Sequence, residues 1–400
     1  MAFVGLTVGA GFATGKEVIQ YFISFGTMGL WGALLAGVVM TIAGAVILQT
    51  GSYFLAKEHN MVFRSVSHPW VSRFLDISVI ITLFAVGFVM LAGAGANLNQ
   101  QFGIPTWIGS AVMTAVVIAA GMLDVDKVSR IIGGLTPLIM VAVLIGFIYT
   151  LMNMPEDIGA LNDLAQQEPS PVSPWFLSAL NYNGLALLLG VSMTLVIGGN
   201  YASPKEAGRG GLMGGVIYTV MLLIAAVTLL LNIDIVAGKD VPMLELIDNI
   251  HPALGFAMAF VIFTMVFNTA IGMFYALGKR VTENSDRSFN KWFIGLTLVG
   301  FVISFVGFET LMQYVYPVLG YIGLVMVVTL VAWWVKSRVR IGKESKRRDR
   351  MRELAEHRED PEAEFPEEEE QELDKAAGEC EPSDEEVKQA VDKEVTKENN

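Results

Sequence analysis

The stretch "VGAGFATGKEV", residues 8–18, places three glycines and two charges inside the first apolar run of the chain. Gly9, Gly11 and Gly15 each weaken a helix by about 1 kcal/mol relative to alanine. Lys16 and Glu17 follow in the same run, where charged side chains are costly unless they face a cavity or a partner. The stretch therefore predicts a membrane helix that is interrupted midway, with its charges directed into protein.

Two other interpretations of this stretch compete with an interrupted helix. Its spacing approaches that of a phosphate-binding loop, but no β-strand precedes it, and Glu17 stands where a Ser or Thr should bind magnesium. Glycines four residues apart, Gly5 with Gly9 and Gly11 with Gly15, also let membrane helices pack closely. Close packing agrees with the glycines but does not explain the two charges.

The composition of the chain is that of an integral membrane protein. Of the 400 residues 53% are hydrophobic, and several apolar runs reach about 18 residues or more, enough to cross a hydrocarbon layer of about 30 Å. These runs predict an all-α membrane domain, residues 1–338, with ten transmembrane helices. The expected spans, numbered 1 to 10, cover residues 2–25, 29–55, 71–99, 106–123, 129–153, 174–199, 211–234, 253–278, 291–307 and 309–336.

Charges in the connectors predict the orientation of the spans. Connectors after odd-numbered spans carry only Lys239, whereas those after even-numbered spans are basic. Because basic loops stay on the cytoplasmic side, both termini are expected on the cytoplasmic side of the plasma membrane. No cleaved signal peptide is expected, since the N-terminus lacks a basic region and a small-residue cleavage site. The basic connector residues are Lys57, Arg64, Lys127, Lys205, Arg209, Lys279, Arg280 and Arg287.

The acidic connector 154–174 divides the spans into two sets of five, with repeats of about 1–153 and 174–336. Because five is odd, two similar sets would be inverted relative to each other, as is common in transporters. Span 6 is then the counterpart of span 1, and Asn181 to Gly184 interrupt its apolar run. Since Asn favours turns, this span is also expected to break. A capped interfacial end at Asn183 is the alternative.

The sequence "GAGFATGKE", residues 9–17, in an interrupted first span resembles the YkvI-like membrane proteins of the amino acid–polyamine–cation (APC) superfamily. The resemblance covers about residues 1–336. It implies the LeuT-type fold, with helices 1 and 6 broken and a site for a small-molecule solute between them. The implied solute-binding residues are Gly9, Ala10, Gly11, Phe12, Ala13, Asn181, Tyr182 and Asn183.

The resemblance also implies a cation site beside the first helix. In sodium-coupled members of the superfamily, a cation lies between carbonyls of helix 1 and hydroxyls of helix 8. Matching the Gly-x-Gly pattern places Gly5 and Val8 at the carbonyl positions, and "MVFNTAIG", residues 265–272, offers Met265, Asn268 and Thr269. The family pattern has a hydroxyl where Asn268 stands, and ordinary hydrogen bonding between helices is the alternative for this pair.

Lys16, Glu17 and Glu309 are expected at the outer end of the site. A Lys16–Glu309 pair would resemble the outer gate of related transporters, although the basic residue there stands one position earlier. Glu17 is alternatively a proton carrier, because burial disfavours the charged form of a carboxylate. A plain Lys16–Glu17 surface pair is the third interpretation.

Residues 339–400 differ in composition from the membrane domain. They hold 12 Lys/Arg and 22 Asp/Glu, so the net charge of −12 is mostly a property of this tail. Its basic start suits the anionic lipids of the inner leaflet. Its acidic remainder is poor in large apolar residues and is expected to be a disordered cytoplasmic tail. Cys380, the one cysteine, lies there, so no disulfide can form within the chain.

No pattern of catalytic or metal-binding residues is present in the sequence; the four histidines have no ligand spacing. The chain is therefore expected not to be an enzyme and to bind no cofactor, metal or nucleic acid. The predicted function is secondary active transport of a small zwitterionic solute, an amino acid or a related amine, by alternating access coupled to Na⁺ or H⁺. The alternative is a non-transporting membrane sensor or regulatory protein that acts through its C-terminal tail.

Overall fold

The computed structural model describes residues 2–122, 136–282, 288–359 and 366–398, and all regular structure in these ranges is helical. The expected end of span 4, the expected start of span 5, and the basic residues Lys127 and Arg287 lie outside the described residues. The α-helices are, in chain order, α1 (Ala2–Thr7), α2 (Ala10–Thr14), α3 (Lys16–Tyr21), α4 (Thr27–Tyr53), α5 (His59–Val66), α6 (Pro69–Phe102), α7 (Thr106–Gly121), α8 (Thr136–Met152), α9 (Ile158–Ala165), α10 (Trp175–Gly199), α11 (Pro204–Leu231), α12 (Ile233–Val236), α13 (Pro242–Ile250), α14 (Pro252–Thr282), α15 (Phe289–Ser304), α16 (Phe308–Glu359), α17 (Glu367–Gly378) and α18 (Asp384–Glu398).

The membrane character of the chain is evident from its long apolar helices. In the described ranges, six helices are long and apolar enough to cross a membrane: α4, α6, α10, α11, α14 and α16. The helices α7, α8 and α15 are apolar but shorter. Each expected span therefore overlaps an apolar helix or the interrupted first segment. The count of ten crossings and the inverted repeat stay predictions.

The first span is interrupted, as "VGAGFATGKEV" predicts. Between α1 and α2, no backbone hydrogen bond joins the N–H groups of residues 9–12 to the carbonyls of residues 5–8. A second interruption separates α2 from α3 at Gly15, whose φ of 79° lies in the left-handed region. Glycine adopts this conformation without the strain that a Cβ atom would cause. Non-helical backbone at this depth needs a protein or cavity environment.

Two groups of helices pack on either side of this interrupted segment. In one group, α4 packs against α10 and α11, and α1 contacts the last two. In the other group, α6 packs against α7, α14 and α15, and the buried Asn97 amide of α6 donates to the Ala259 carbonyl of α14 at 2.9 Å. The short α2 contacts α14 and so lies between the groups.

The expected break in span 6 is wrong, because α10 is one continuous helix of 25 residues. The asparagine side chains bond to helix carbonyls instead of forming a turn: Asn183 Nδ2 donates to Ala179 O at 3.1 Å, and Asn181 Nδ2 donates to Pro317 O of α16 at 2.9 Å. Gly184 allows α10 and α16 to pack closely, since a Cβ on Gly184 would lie 2.1 Å from the carbonyl oxygen of Gly320. The alternative of a capped end at Asn183 is wrong for the same reason.

The expected disordered tail is also wrong for its described part, residues 339–359 and 366–398. Helix α16 continues unbroken to Glu359, and α17 and α18 fold back against it. We call these residues the C-terminal cap. Apolar residues recur at helical spacing in the acidic sequence and form a small core of their own. This core includes Met351, Leu354, Leu373, Val387, Val391 and Val395.

One buried arginine attaches the C-terminal cap to the membrane helices. The Arg348 side chain is fully buried and donates to the carbonyls of Ser52 and Tyr53, both at 2.8 Å, and of Ala202 at 3.0 Å. Its charge is balanced by Glu344, which is 2.7 Å away. The cap therefore holds the end of α4 and the connector between α10 and α11 to the extension of α16.

Candidate functional site

A cavity of about 900 Å³ lies between the two helix groups, at the interruption of the first span. Residues of α1, α2, α6, α10 and α14 line it. A cavity of this volume is large enough for a small organic solute. One end reaches the interrupted backbone and Glu17, and the other end reaches Lys57, Lys279 and Arg280. The cytoplasmic position of these three residues stays a prediction.

The first span contributes its interrupted backbone to the cavity wall. Gly5, Val8, Gly9, Ala10 and Gly11 all line the cavity. Because residues 5–8 and 9–12 do not bond to each other, this wall offers backbone polar groups that a continuous helix would consume.

The residues that the resemblance implies for a cation meet at the same cavity. Met265, Asn268 and Thr269 of α14 line it together with Gly5 and Val8. The Thr269 hydroxyl donates to the Met265 carbonyl at 3.1 Å, which leaves the lone pairs of the hydroxyl oxygen available to a ligand. Their role as cation ligands stays a prediction.

Glu17 places a buried carboxylate at the closed end of the cavity. It is 8% exposed, and an ideal Cβ on Gly11 would lie 1.6 Å from its Oε1 atom. The hydroxyl of the buried Tyr182 lies 2.7 Å from the hydroxyl of Tyr218. Tyr316 of α16, also buried, lines the same cavity.

Lys16, the neighbouring residue, does not line this cavity and bonds elsewhere. Its Nζ atom lies 2.9 Å from Glu309 Oε1 and donates to the Lys239 carbonyl at 3.0 Å. Glu309 also lines a second depression of about 500 Å³. Since Lys16 is 1% exposed and bonds to Glu309, the interpretation as a Lys16–Glu17 surface pair is wrong. The role of the Lys16–Glu309 pair as a gate stays a prediction.

A polar network that the sequence did not indicate surrounds the open end of the cavity. Asp76 of α6 accepts a hydrogen bond from Arg280 of α14, and its Oδ1 atom is 3.7 Å from His59 Nε2. His59 Nδ1 in turn lies 2.9 Å from the Ser192 hydroxyl of α10. The network therefore connects α5, α6, α10 and α14 around the mouth.

The other expected solute-binding residues do not line this cavity. Phe12 and Ala13 are buried, and the Phe12 ring packs 6.2 Å from that of Tyr218. Asn181 and Asn183 bond within the helix packing, as described above. Tyr182 does not line the cavity, and its hydroxyl bonds to that of Tyr218. The sequence analysis did not identify Tyr218 and Tyr316 as residues of this region, although a tyrosine within an apolar run is a recognisable polar signal.

Exchanging the charges of Lys16 and Glu309 tests their interaction. Lys16→Glu places two carboxylates together and is expected to lower the thermal unfolding midpoint, whereas the double variant Lys16→Glu/Glu309→Lys recovers part of the loss. A double-mutant cycle should give a coupling of about 0.5–3 kcal/mol. A double variant that is less stable than Lys16→Glu alone would contradict the pairing.

Comparisons with known proteins agree with this architecture. No family model matches the chain. The membrane protein YkvI of Bacillus subtilis (strain 168) is 26% identical over 333 residues, covering 82% of this chain and 93% of YkvI. YyaD of the same organism is 24% identical over 340 residues, covering 84% of this chain and 96% of YyaD. The chain is a homologue of YkvI and YyaD. The resemblance seen in residues 9–17 is thus confirmed.

Solved structures with a similar fold are transporters. MhsT in complex with L-phenylalanine has a TM-score of 0.61 at 12% identity, covering 99% of this chain and 96% of MhsT. Inward-facing Mhp1 has a TM-score of 0.57 at 13% identity, covering 83% and 76%. A manganese transporter of Eremococcus coleocola, in a mutant form, has a TM-score of 0.53 at 13% identity, covering 98% and 94%. This likeness concerns the fold, which is of the LeuT type.

Proposed function

We propose that this protein is a secondary active transporter that moves a small zwitterionic solute, an amino acid or related amine, by alternating access. The observation that carries the proposal is the interrupted first span, which lines a cavity of about 900 Å³ between two helix groups. The cavity reaches basic residues at one end and the buried Glu17 at the other. This arrangement supports a conformation open to one side of the membrane.

The proposal includes the surroundings of the solute. Backbone groups of residues 5–11 hold the solute, and Gly5, Val8, Met265, Asn268 and Thr269 hold a coupling Na⁺, unless H⁺ is the coupling ion. The connector charges support a cytoplasmic position for both termini, with the basic mouth near the anionic inner leaflet of the plasma membrane. The fold neighbours, which include an L-phenylalanine complex, support a solute of this size.

Solute flux into proteoliposomes tests the proposal, with a Na⁺ or H⁺ gradient imposed and an amino acid panel as probes. Gly11→Ala is expected to reduce flux at least about tenfold. The new Cβ would lie 1.6 Å from the Oε1 atom of Glu17 and would therefore displace the carboxylate. Folding should be spared, since the displaced atoms end a flexible side chain. Gly295→Ala is the matched control, as nothing lies within 4 Å of its Cβ position.

The folded C-terminal cap favours one alternative, a membrane sensor that signals through the cap. If the protein is such a sensor, deletion of the cap should remove the cellular phenotype, whereas Gly11→Ala should change that phenotype little. The sensor would be favoured over the transporter if no amino acid or amine entered the proteoliposomes faster than empty vesicles and the phenotype depended on the cap.

A further inference from the structure

Glu17 is a buried carboxylate without a cationic partner in the described part of the chain. Its neighbour Lys16 bonds to Glu309 and to a backbone carbonyl. No ion pair involving Glu17 is formed among the described residues. A carboxylate that is 8% exposed is costly unless a positive charge or several hydrogen bonds compensate it.

The cations that line the same cavity are already engaged near its mouth. Arg280 bonds to Asp76, and Lys57 bonds to Glu386 of the cap. The Lys279 ammonium lies over the rings of Tyr275 and Phe289, 5.5 and 5.2 Å from their centroids. None of them pairs with Glu17, so either a proton on the carboxylate or a cation from outside the protein compensates its charge.

The groups around Glu17 suit a protonated amine. An ammonium group donates three hydrogen bonds. Glu17 accepts one, the Tyr316 hydroxyl on the cavity wall accepts another, and the backbone carbonyls left unbonded at residues 5–8 line the same space. In the described residues, no group of three or more His, Cys, Asp or Glu side chains is placed to hold a metal ion.

We infer that Glu17 is the counter-charge for the ammonium group of the solute, so that the amine, and not the carboxylate, is the group the site requires. This inference rests on the proposed transport function and narrows its substrate class to solutes with a protonated amine. Gly11 serves the same purpose, because any larger side chain there would occupy the position of the carboxylate.

Matched ligands and a matched variant test the inference on the purified full-length protein. L-leucine, 3-methylbutylamine and 4-methylpentanoate share one side chain and differ in which charged groups they carry; alanine, ethylamine and propionate form a smaller set. We expect the amino acid and the amine of a set to bind, and the acid not to bind, in calorimetry or thermal-shift titration. Glu17→Gln should weaken both at least about tenfold, since a hydrogen bond to a charged group is stronger than one between neutral groups. Glu156→Gln, the same change at an exposed carboxylate that does not line the cavity, should not.

Several outcomes would overturn the inference. One is an acid that binds as tightly as its amino acid, and another is a Glu17→Gln variant that keeps amine affinity within about twofold. A variant that keeps that affinity but no longer moves protons with the solute would make Glu17 a proton carrier instead. These outcomes leave transport intact. If the wild-type protein neither binds nor transports any of the six compounds, the inference and the proposed function both fail.

Discussion

Replacing Gly323 with alanine is expected to prevent α10 and α16 from packing and to cause a large loss of folded protein. A Cβ at position 323 would lie 1.9 Å from the carbonyl oxygen of Gly184. Backbone atoms cannot rotate away, so the helices have to separate. Overpacking typically lowers the free energy of unfolding by about 1–3 kcal/mol. A clash with backbone atoms is expected to lower it by an amount at or above the upper end of this range. Separation would also break the bond from Asn181 to Pro317 O.

Size-exclusion chromatography in detergent and the thermal unfolding midpoint measure this effect. Gly342→Ala is the control on the same helix, because nothing lies within 4 Å of its Cβ position. A Gly323→Ala protein that is monodisperse and unfolds at the wild-type temperature would mean that α10 and α16 are not in backbone contact.

Arg348→Ala is expected to release the C-terminal cap from the membrane helices. The substitution leaves Glu344, which is 2% exposed, with only the more distant Arg347 at 3.7 Å as a cationic partner. It also removes the donors of three backbone carbonyls. Removing one partner of a buried ion pair costs about 3–5 kcal/mol. Arg350→Ala, two residues away in an exposed pair with Glu372, should have little effect, because exposed pairs contribute little.

Alkylation of Cys380, the single cysteine, reports the release of the cap. Burial, with a smaller contribution from Glu344, raises the pKa of its thiol to about 11. Only the thiolate reacts, so iodoacetamide should react slowly at pH 7. Release restores an ordinary pKa of about 8.5 and should speed the reaction by more than about 100-fold. If the cap stays docked, the loss of Arg348, which lowers this pKa, should slow the reaction further.

The sequence predicted the first span well because its signal is local. Glycines at 9, 11 and 15 followed by two charges weaken a helix whatever surrounds it, and both interruptions lie within this stretch. The long apolar helices were equally predictable, since length and hydropathy are properties of each segment alone.

The errors concern residues whose behaviour depends on distant partners. Asn181 and Asn183 favour turns in isolation, but here they bond to carbonyls of α16 and of their own helix. The acidic tail folds because valines four residues apart meet a core completed by Leu55 and Ala202, about 185 to 340 positions earlier in the chain. The tyrosines around Glu17 come from α10, α11 and α16, and no local pattern joins them.

Helix α16 carries Tyr316 at the cavity and Arg348 at the cap on a single rod. Thirty-two residues separate them, which corresponds to about 48 Å. A tilt of about 5° around Tyr316 would therefore sweep Arg348 through about 4 Å, farther than any of its hydrogen bonds is long. Helix α16 thus acts as a lever. A change of shape around a bound solute has to move the ends of α4 and α10 together with Arg348, or else break the hydrogen bonds of Arg348 to them.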